Sequence, residues 1–361
     1  MAKQKKYKKS TRGPNESLGG RREGRSLVAP VVKGLDVGTA FIYSAQKAGP
    51  EVAFKKERNA FFDIEHSDFT EDILKKSNVK YALKGNRLYI VGEDAIKFAN
   101  VFSKNTRRPL RDGVISPQEE DALPVIELII KSVLGTSRSN GELIYYAVPS
   151  SPVDADFDII YHQNIIKRFL ENLGYQAKPI NEGLSVIFSE LAKDNFTGIG
   201  ISLGGGMANV CFAVMALPVF SFSVARAGDW IDEQVARVTN ETVSKITAIK
   251  ETNLNLNLAE YSTDKIDQAL YIYYSHLIGY VLEQIKNEFE KNPKPKLDKP
   301  LPIALSGGTA KPKGFLPMFK AELEKTKLPF EVGEIKLASH PLFSVVKGVL
   351  IAGIAESKKS S

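Results

Sequence analysis

Cysteine is nearly absent from this chain: Cys211 is the only one in 361 residues. A single thiol excludes a disulfide framework and fits a reducing compartment, so the expected location is the cytoplasm. Histidine is scarce as well. His66, His162, His276 and His340 are scattered, and no Cys/His spacing suggests zinc. The chain has no G-x-x-x-x-G-K-[ST] run, which excludes a P-loop. The dinucleotide fingerprint fails too, because Gly198 and Gly200 are followed by Leu203 where a third glycine belongs. Charge is missing from one long stretch, Ile199 to Ala225, which is enough to cross a bilayer. Gly204-Gly205-Gly206, Asn209 and Pro218 interrupt it and would break a helix twice. Its Val, Ile and Phe content instead favours strands near 199–203, 208–215 and 219–225, so no transmembrane segment is expected.

What is present is globular. Apolar residues make up 43% and charged residues 25%, and the length suffices for two domains with separate cores. The net charge of +7 is local. Residues 1–25 hold nine Lys/Arg and two Glu, so the tail carries the whole excess and the remainder is balanced. With its Gly, Ser and Pro, the segment 1–27 has too little apolar surface to fold alone and is expected to be a disordered basic tail. It suits contact with anionic membrane or nucleic acid, and equally a solubility role.

The stretch "GIGISLGGGMANVCFAV" (198–214) is a strand, three glycines and a second strand. Successive N–H groups in such a loop form a nest for anions. Residues 31–57, "VVKGLDVGTAFIYSAQKAGPEVAFKKE", repeat the layout: Gly34 and Gly38 are four apart, as are Gly200 and Gly204. Asp36 then corresponds to Ser202. Helical sequence follows each copy, at 119–135 and at 230–241. A third turn, "LPIALSGGTAKPKGF" (301–315), places Ser306-Gly307-Gly308-Thr309 between a strand and a helix from about Phe315. Glycines there let the backbone approach a ligand closely. The arrangement predicts two similar α/β domains facing one cleft; the competing account is chance likeness between two β-meanders. On 264–291, Ile266, Leu270, Leu277 and Ile285 recur at helical spacing, which marks a core stripe.

These turns, in this order, resemble the actin-like ATPase superfamily. "GLDVGTA" is similar to its first phosphate loop, "GISLGGGMANV" to its second, and "LSGGTAKPKGF" to its adenosine loop. "YIVGEDAIKFANVFSKNTRRPLRDGVIS" (89–116), "AVPSSP" (147–152) and "ARAGDWIDEQV" (225–235) resemble the bacterial actin branch of MreB- and MamK-type filament proteins. The similarity spans roughly residues 30–355. It implies duplicated RNase H-like domains around a nucleotide cleft, with ATP or ADP and Mg²⁺ between them. Domain I would be 28–180, completed by a C-terminal helix at 341–356, and domain II would be 181–340.

The resemblance also implies roles. Asp36 is the carboxylate placed to act on magnesium through bound water. Gly38, Thr39 and Ala40, and Gly204, Gly205 and Gly206 with Met207, would meet the phosphates. Gly307, Gly308 and Thr309 would meet the nucleoside, and Lys245, Lys250 and Glu251 the ribose and base. The water-activating residue would be Gln163, with His162 beside it as the other option. Two departures stand out. Ser202 stands where the family has Asp, and Met207 and Asn209 stand near where it has Thr or Asp. The second-domain insertion is also reduced to "TVSKITAIKETNLNLNLAEYS". Backbone binding survives the first departure, whereas hydrolysis is expected to be slow, and Ser202→Asp is expected to speed it. The implied function is an ATP–Mg-binding protein that polymerises with itself. A nucleotide-binding scaffold without hydrolysis and a small-molecule kinase are the alternatives.

Overall fold

The computed structural model describes residues 32–359 apart from 100, 140, 293–294 and 296–298. The expected basic tail, 1–27, lies outside the described residues.

The chain opens with three strands, β1 (Val32–Val37), β2 (Phe41–Ala48) and β3 (Glu51–Arg58). An insert follows: β4 (Phe61–Glu65), α1 (Asp68–Lys76), β5 (Tyr81–Lys84), β6 (Arg87–Val91), α2 (Glu93–Ala99), and a short hairpin of β7 (Leu110–Arg111) and β8 (Val114–Ile115). Then come α3 (Ala122–Leu134), β9 (Glu142–Val148), α4 (Ile160–Asn172), β10 (Tyr175–Asn181) and α5 (Glu182–Glu190). The second half begins with β11 (Gly198–Leu203), β12 (Ala208–Val214) and β13 (Leu217–Val224), followed by α6 (Gly228–Thr239), α7 (Val243–Thr252), α8 (Leu256–Ala259) and α9 (Lys265–Lys291). It closes with β14 (Leu301–Ser306), α10 (Phe315–Thr326), β15 (Val332–Leu337) and α11 (Ser344–Lys359).

The duplication read from the glycines holds throughout both sheets. One sheet runs β3-β2-β1-β9-β10 and the other β13-β12-β11-β14-β15. In each, the first three strands are antiparallel and the last two join in parallel. Gly34 and Gly200 occupy matching positions for one reason. A Cβ on Gly34 would lie 2.9 Å from the Val346 carbonyl of α11, and one on Gly200 would collide with the Gly183 carbonyl of α5. Each glycine lets a helix backbone lie directly on its sheet.

Helices α11 and α5 form the layer between the sheets. α11 packs on β1 and β9, α5 on β11 and β12, and the two pack on each other. Val186 and Ile187 meet Val346, Val349 and Leu350 in an apolar seam there. A Cβ on Gly348 would overlap the Ser185 carbonyl, so the helices touch backbone to backbone.

Expected elements shift at their ends. The helix expected at 119–135 starts at Ala122, and that at 230–241 runs Gly228–Thr239, where Asn240 turns left-handed (φ 56°) and stops it. The C-terminal helix, expected at 341–356, runs 344–359. Pro218 lies within β13, an edge strand, where its missing N–H is tolerated. The long helix falls as expected, capped by the Asp264 side chain, with Leu270, Leu277 and Ile285 in the core. The second insertion consists of α7 and α8 alone, without a strand. No helix of the described residues is long and apolar enough to cross a membrane.

Candidate functional site

A cavity of about 420 Å³ opens between the sheets, lined by all three glycine turns. The size is that of a small-molecule site. In the first turn the Gly38 N–H donates to the Phe41 carbonyl (3.0 Å). Buried Asn59 pins the same loop: its Nδ2 donates to the Gly38 carbonyl (2.9 Å) and its N–H to the Ala40 carbonyl (3.0 Å). The Gly38 and Ala40 carbonyls are thereby occupied. Among the described residues, the N–H groups of Thr39 and Ala40 meet no protein acceptor.

The second turn follows the same logic. Gly204 donates to the Met207 carbonyl (2.9 Å). The N–H groups of Gly228 and Asp229, at the start of α6, donate to the carbonyls of Gly204 (3.1 Å) and Gly205 (2.8 Å). Thr309 Oγ1, from the third turn, donates to the Gly204 carbonyl at 2.7 Å. The N–H groups of Gly205 and Gly206 meet no protein acceptor among the described residues. Two loops from opposite sheets thus line one cavity with unpaired donors, the arrangement that receives anions. Gly307 takes a left-handed φ of 96°, and a side chain there would collide with the Leu203 carbonyl.

Five carboxylates line the cavity, those of Asp36, Glu182, Asp229, Asp232 and Glu251, and the first two form a pair. Asp36 comes from β1, and Glu182 is the first residue of α5. Ser202 Oγ (3.4 Å) and Asn209 Nδ2 (3.0 Å) donate to Glu182 Oε2. Burial pushes Asp36 up to about 7; burial and the charge of Asp36 push Glu182 up to about 8. Two acids in one depression without a cation resist ionising together. That chemistry fits a divalent cation such as Mg²⁺, which Asp36 and Glu182 would hold. Among the described residues no cluster of three or more Asp, Glu, His or Cys would hold a metal by protein groups alone.

Both acids bind protons more tightly in the folded chain than at their ordinary values of 3.8 and 4.5. The stability of the ligand-free protein is therefore expected to fall as pH rises from about 4 to about 8, and to level off above. Glu182→Gln should flatten that fall. Thermal melts across this range in a chelator would show it, and an unchanged slope in the variant would refute the pairing.

The remaining site expectations divide. Asp36, Gly38, Thr39, Ala40, Ser202, Gly204, Gly205, Gly206, Met207, Lys250, Glu251, Gly307, Gly308 and Thr309 all line the cavity. Lys250 does so with its ammonium already engaged, 2.6 Å from the Gly228 carbonyl and 2.8 Å from Asp232. Gln163 and Lys245 do not line it. Gln163 lies on α4, which packs against β10, and its carbonyl accepts from Tyr146. His162 is buried on the same helix, its value pushed down to about 4 by burial. Lys245 pairs with Glu241 at 2.6 Å, one helical turn away on an exposed face.

Glu182, Arg108 and Asp229 are the residues that sequence reasoning missed. For Glu182 a signal existed. Gly183 sits in the first turn of α5, where glycine costs a helix about 1 kcal/mol. A Cβ there would lie 2.6 Å from the Cys211 N–H of β12, so the glycine brings the helix start, and the acid beside it, onto the strand.

Residues 31–353 match the family model described as Volactin. The chain belongs to the Volactin family. No curated protein matches this chain. Among solved structures it is similar to a MamK double helical filament, at 16% identity and TM-score 0.63 over 90% of this chain and 98% of that one. It is also similar to MreB 5 of Spiroplasma citri bound to AMPPNP, at 16% identity and TM-score 0.65 over 92% and 98%. A third likeness is to the ethanolamine utilization protein EutJ from Carboxydothermus hydrogenoformans, at 16% identity and TM-score 0.55 over 91% of each chain. The volactin fold is therefore the two-domain actin-like fold expected from the glycine turns.

Proposed function

We propose that this protein binds ATP with Mg²⁺ in the cleft, assembles with itself into filaments, and hydrolyses the nucleotide slowly. The observation that carries the reading is the pair of glycine loops. Thr39, Ala40, Gly205 and Gly206 offer unpaired N–H groups to one cavity that also holds the acid pair Asp36 and Glu182. Domain I (28–180 with the C-terminal helix) and domain II (181–340) would close on the nucleotide from opposite sides. Thr309 and the Gly307-Gly308 turn would hold the nucleoside end. Mg²⁺, when bound, would supply positive charge to the terminal phosphates, with Asp36 and Glu182 as its protein partners. Ser202 and Asn209 orient Glu182 by donating to it. Slow turnover follows from the placement of Gln163, which leaves the α4 side without the expected base; general acid–base assistance contributes about 10²–10⁴-fold.

Filament formation is favoured by likeness to a structure solved as a filament. A head-to-tail interface that does not close gives an open polymer. Sedimentation and electron microscopy with ATP, ADP, AMPPNP and no nucleotide test both parts. Pelleted filaments with ATP or AMPPNP and little without nucleotide are expected. Monomers under every condition, at high protein concentration, would refute assembly, and calorimetry showing no heat with Mg–ATP would refute binding. The basic tail adds a further expectation: removing residues 1–25 should abolish salt-sensitive binding to anionic vesicles or nucleic acid while leaving nucleotide affinity unchanged.

A further inference from the structure

We propose that Arg108 is a terminal-phosphate contact, positioned across the cleft by Asp229, that makes the site tell a triphosphate from a diphosphate. This rests on the nucleotide reading above.

Arg108 precedes the β7–β8 hairpin and so belongs to the first half of the molecule. Asp229 lies in the first turn of α6, in the second. Arg108 Nη1 donates to Asp229 Oδ1 at 2.8 Å. Asp229 is itself fixed to the second phosphate loop, since its N–H donates to the Gly205 carbonyl at 2.8 Å. The acid stands beside the loop's open side: a Cβ built on Gly205 would lie 3.6 Å from both Asp229 carboxylate oxygens. A bare carboxylate there would repel phosphate, and the guanidinium neutralises it.

The guanidinium has donors to spare. It carries five N–H groups in a planar fork, and among the described residues only the one to Asp229 is satisfied by a protein acceptor. Arg108 lines the cavity together with Gly205, Gly206 and Thr39. Its side chain is about one-third exposed, and the opening is into the cleft that it lines. An arginine with one donor held by an acid and the rest unclaimed, at the edge of two loops with unpaired N–H groups, is arranged for bidentate phosphate recognition.

The hairpin that follows fixes its approach. A Cβ on Gly206 would collide with the Gly113 N–H and come within 2.6 Å of Thr39 Oγ1. The β7–β8 turn therefore lies directly on the second loop. It bends there through left-handed Asp112 (φ 48°) and Gly113 (φ 78°). Loop, acid and arginine form one unit drawn from both halves. Occupation by a third phosphate would add a bond from the first half to a ligand seated on the second, and so favour the closed cleft.

The test is nucleotide affinity by calorimetry with Mg²⁺, comparing AMPPNP with ADP for the whole protein and for Arg108→Ala, Arg108→Lys and Asp229→Asn. A lost charge-assisted phosphate contact is worth about a 10- to 100-fold weakening. Arg108→Ala should weaken AMPPNP by that factor and leave ADP within about twofold. Arg108→Lys, which keeps the charge without the fork, should fall between, and it carries the test should the alanine variant not fold. Asp229→Asn should lower the AMPPNP-to-ADP preference in the same direction by a smaller factor. Equal weakening of both nucleotides, or no change in either, would mean that the pair only braces the fold and would overturn the proposal. Failure of the unaltered protein to bind AMPPNP or ADP would instead overturn the nucleotide reading on which it rests.

Discussion

Gly205→Val is expected to leave the fold intact and to weaken nucleotide binding by about 100-fold or more, some 2.8 kcal/mol. The fold survives because space exists. The nearest atoms to a Cβ at this position are the Asp229 carboxylate oxygens at 3.6 Å and the Ala40 Cβ at 3.7 Å, which is ordinary contact. Residue 205 is also not among the left-handed glycines, so no backbone strain arises. Valine's resistance to a positive φ therefore plays no part here. Two methyl groups would instead occupy the gap between the glycine loops, and overpacking against a rigid site costs about 1–3 kcal/mol. Gly206→Ala is the contrast. Its Cβ meets the Gly113 backbone and Thr39, so it should lower the melting temperature before any ligand is added. Circular dichroism melts and calorimetry separate the two. A folded Gly205→Val protein with unchanged affinity would place the phosphates elsewhere.

Ser202→Asp is the second large effect, and its sign reverses the one drawn from sequence. Read alone, Ser202 marks a missing acid beside Asp36. In the structure the second acid is already supplied, by Glu182 at the start of α5, and Ser202 donates to it. A third carboxylate would replace that donor with a repelling charge beside two groups already pushed up to about 7 and about 8. An uncompensated charge of this kind costs roughly 3 kcal/mol. Ser202→Asp should therefore destabilise the ligand-free protein by that order and slow single-turnover hydrolysis at saturating Mg–ATP. Faster turnover at unchanged stability would reinstate the idea that position 202 is the limitation. Asp36→Ala should nearly silence turnover, since it removes the other acid.

The contrast between these residues shows what the sequence makes visible. Gly34, Gly38, Gly200 and Gly204 announce their loops because their pattern is local. The spacing of four is set by one strand and its turn: Gly34 and Gly200 lie under helix backbones, while a Cβ on Gly38 or Gly204 would meet a carbonyl of its own turn at 3.0 Å. The same local character made the long helix legible over 264–291, where it runs Lys265–Lys291. Glu182 was marked only indirectly, by Gly183 beside it, because its place depends on how α5 docks on β12, a contact between segments 28 residues apart. Arg108 and Asp229 are farther apart still, 121 residues, and nothing in either neighbourhood names the other. Gln163 failed for the converse reason. Polar residues on α4 are plain in the sequence, but the face that α4 turns to β10 is decided by packing. Loops with backbone chemistry are thus readable one segment at a time, while a site assembled from side chains of different segments is not.

The contact between Gly348 and the Ser185 carbonyl has a mechanical meaning. Where two helices meet at the backbone, neither can slide along the other without lifting a side chain over a carbonyl, so displacement along the seam is blocked. Twisting about the point of contact is not blocked, because only the small residue sits at the centre. The crossing therefore works as a fulcrum near the middle of the molecule, with each sheet as one arm of a lever. A slight turn there is smallest at the buried seam and greatest at the rim, where Arg58 of β3 reaches Glu251 of α7 across 3.3 Å.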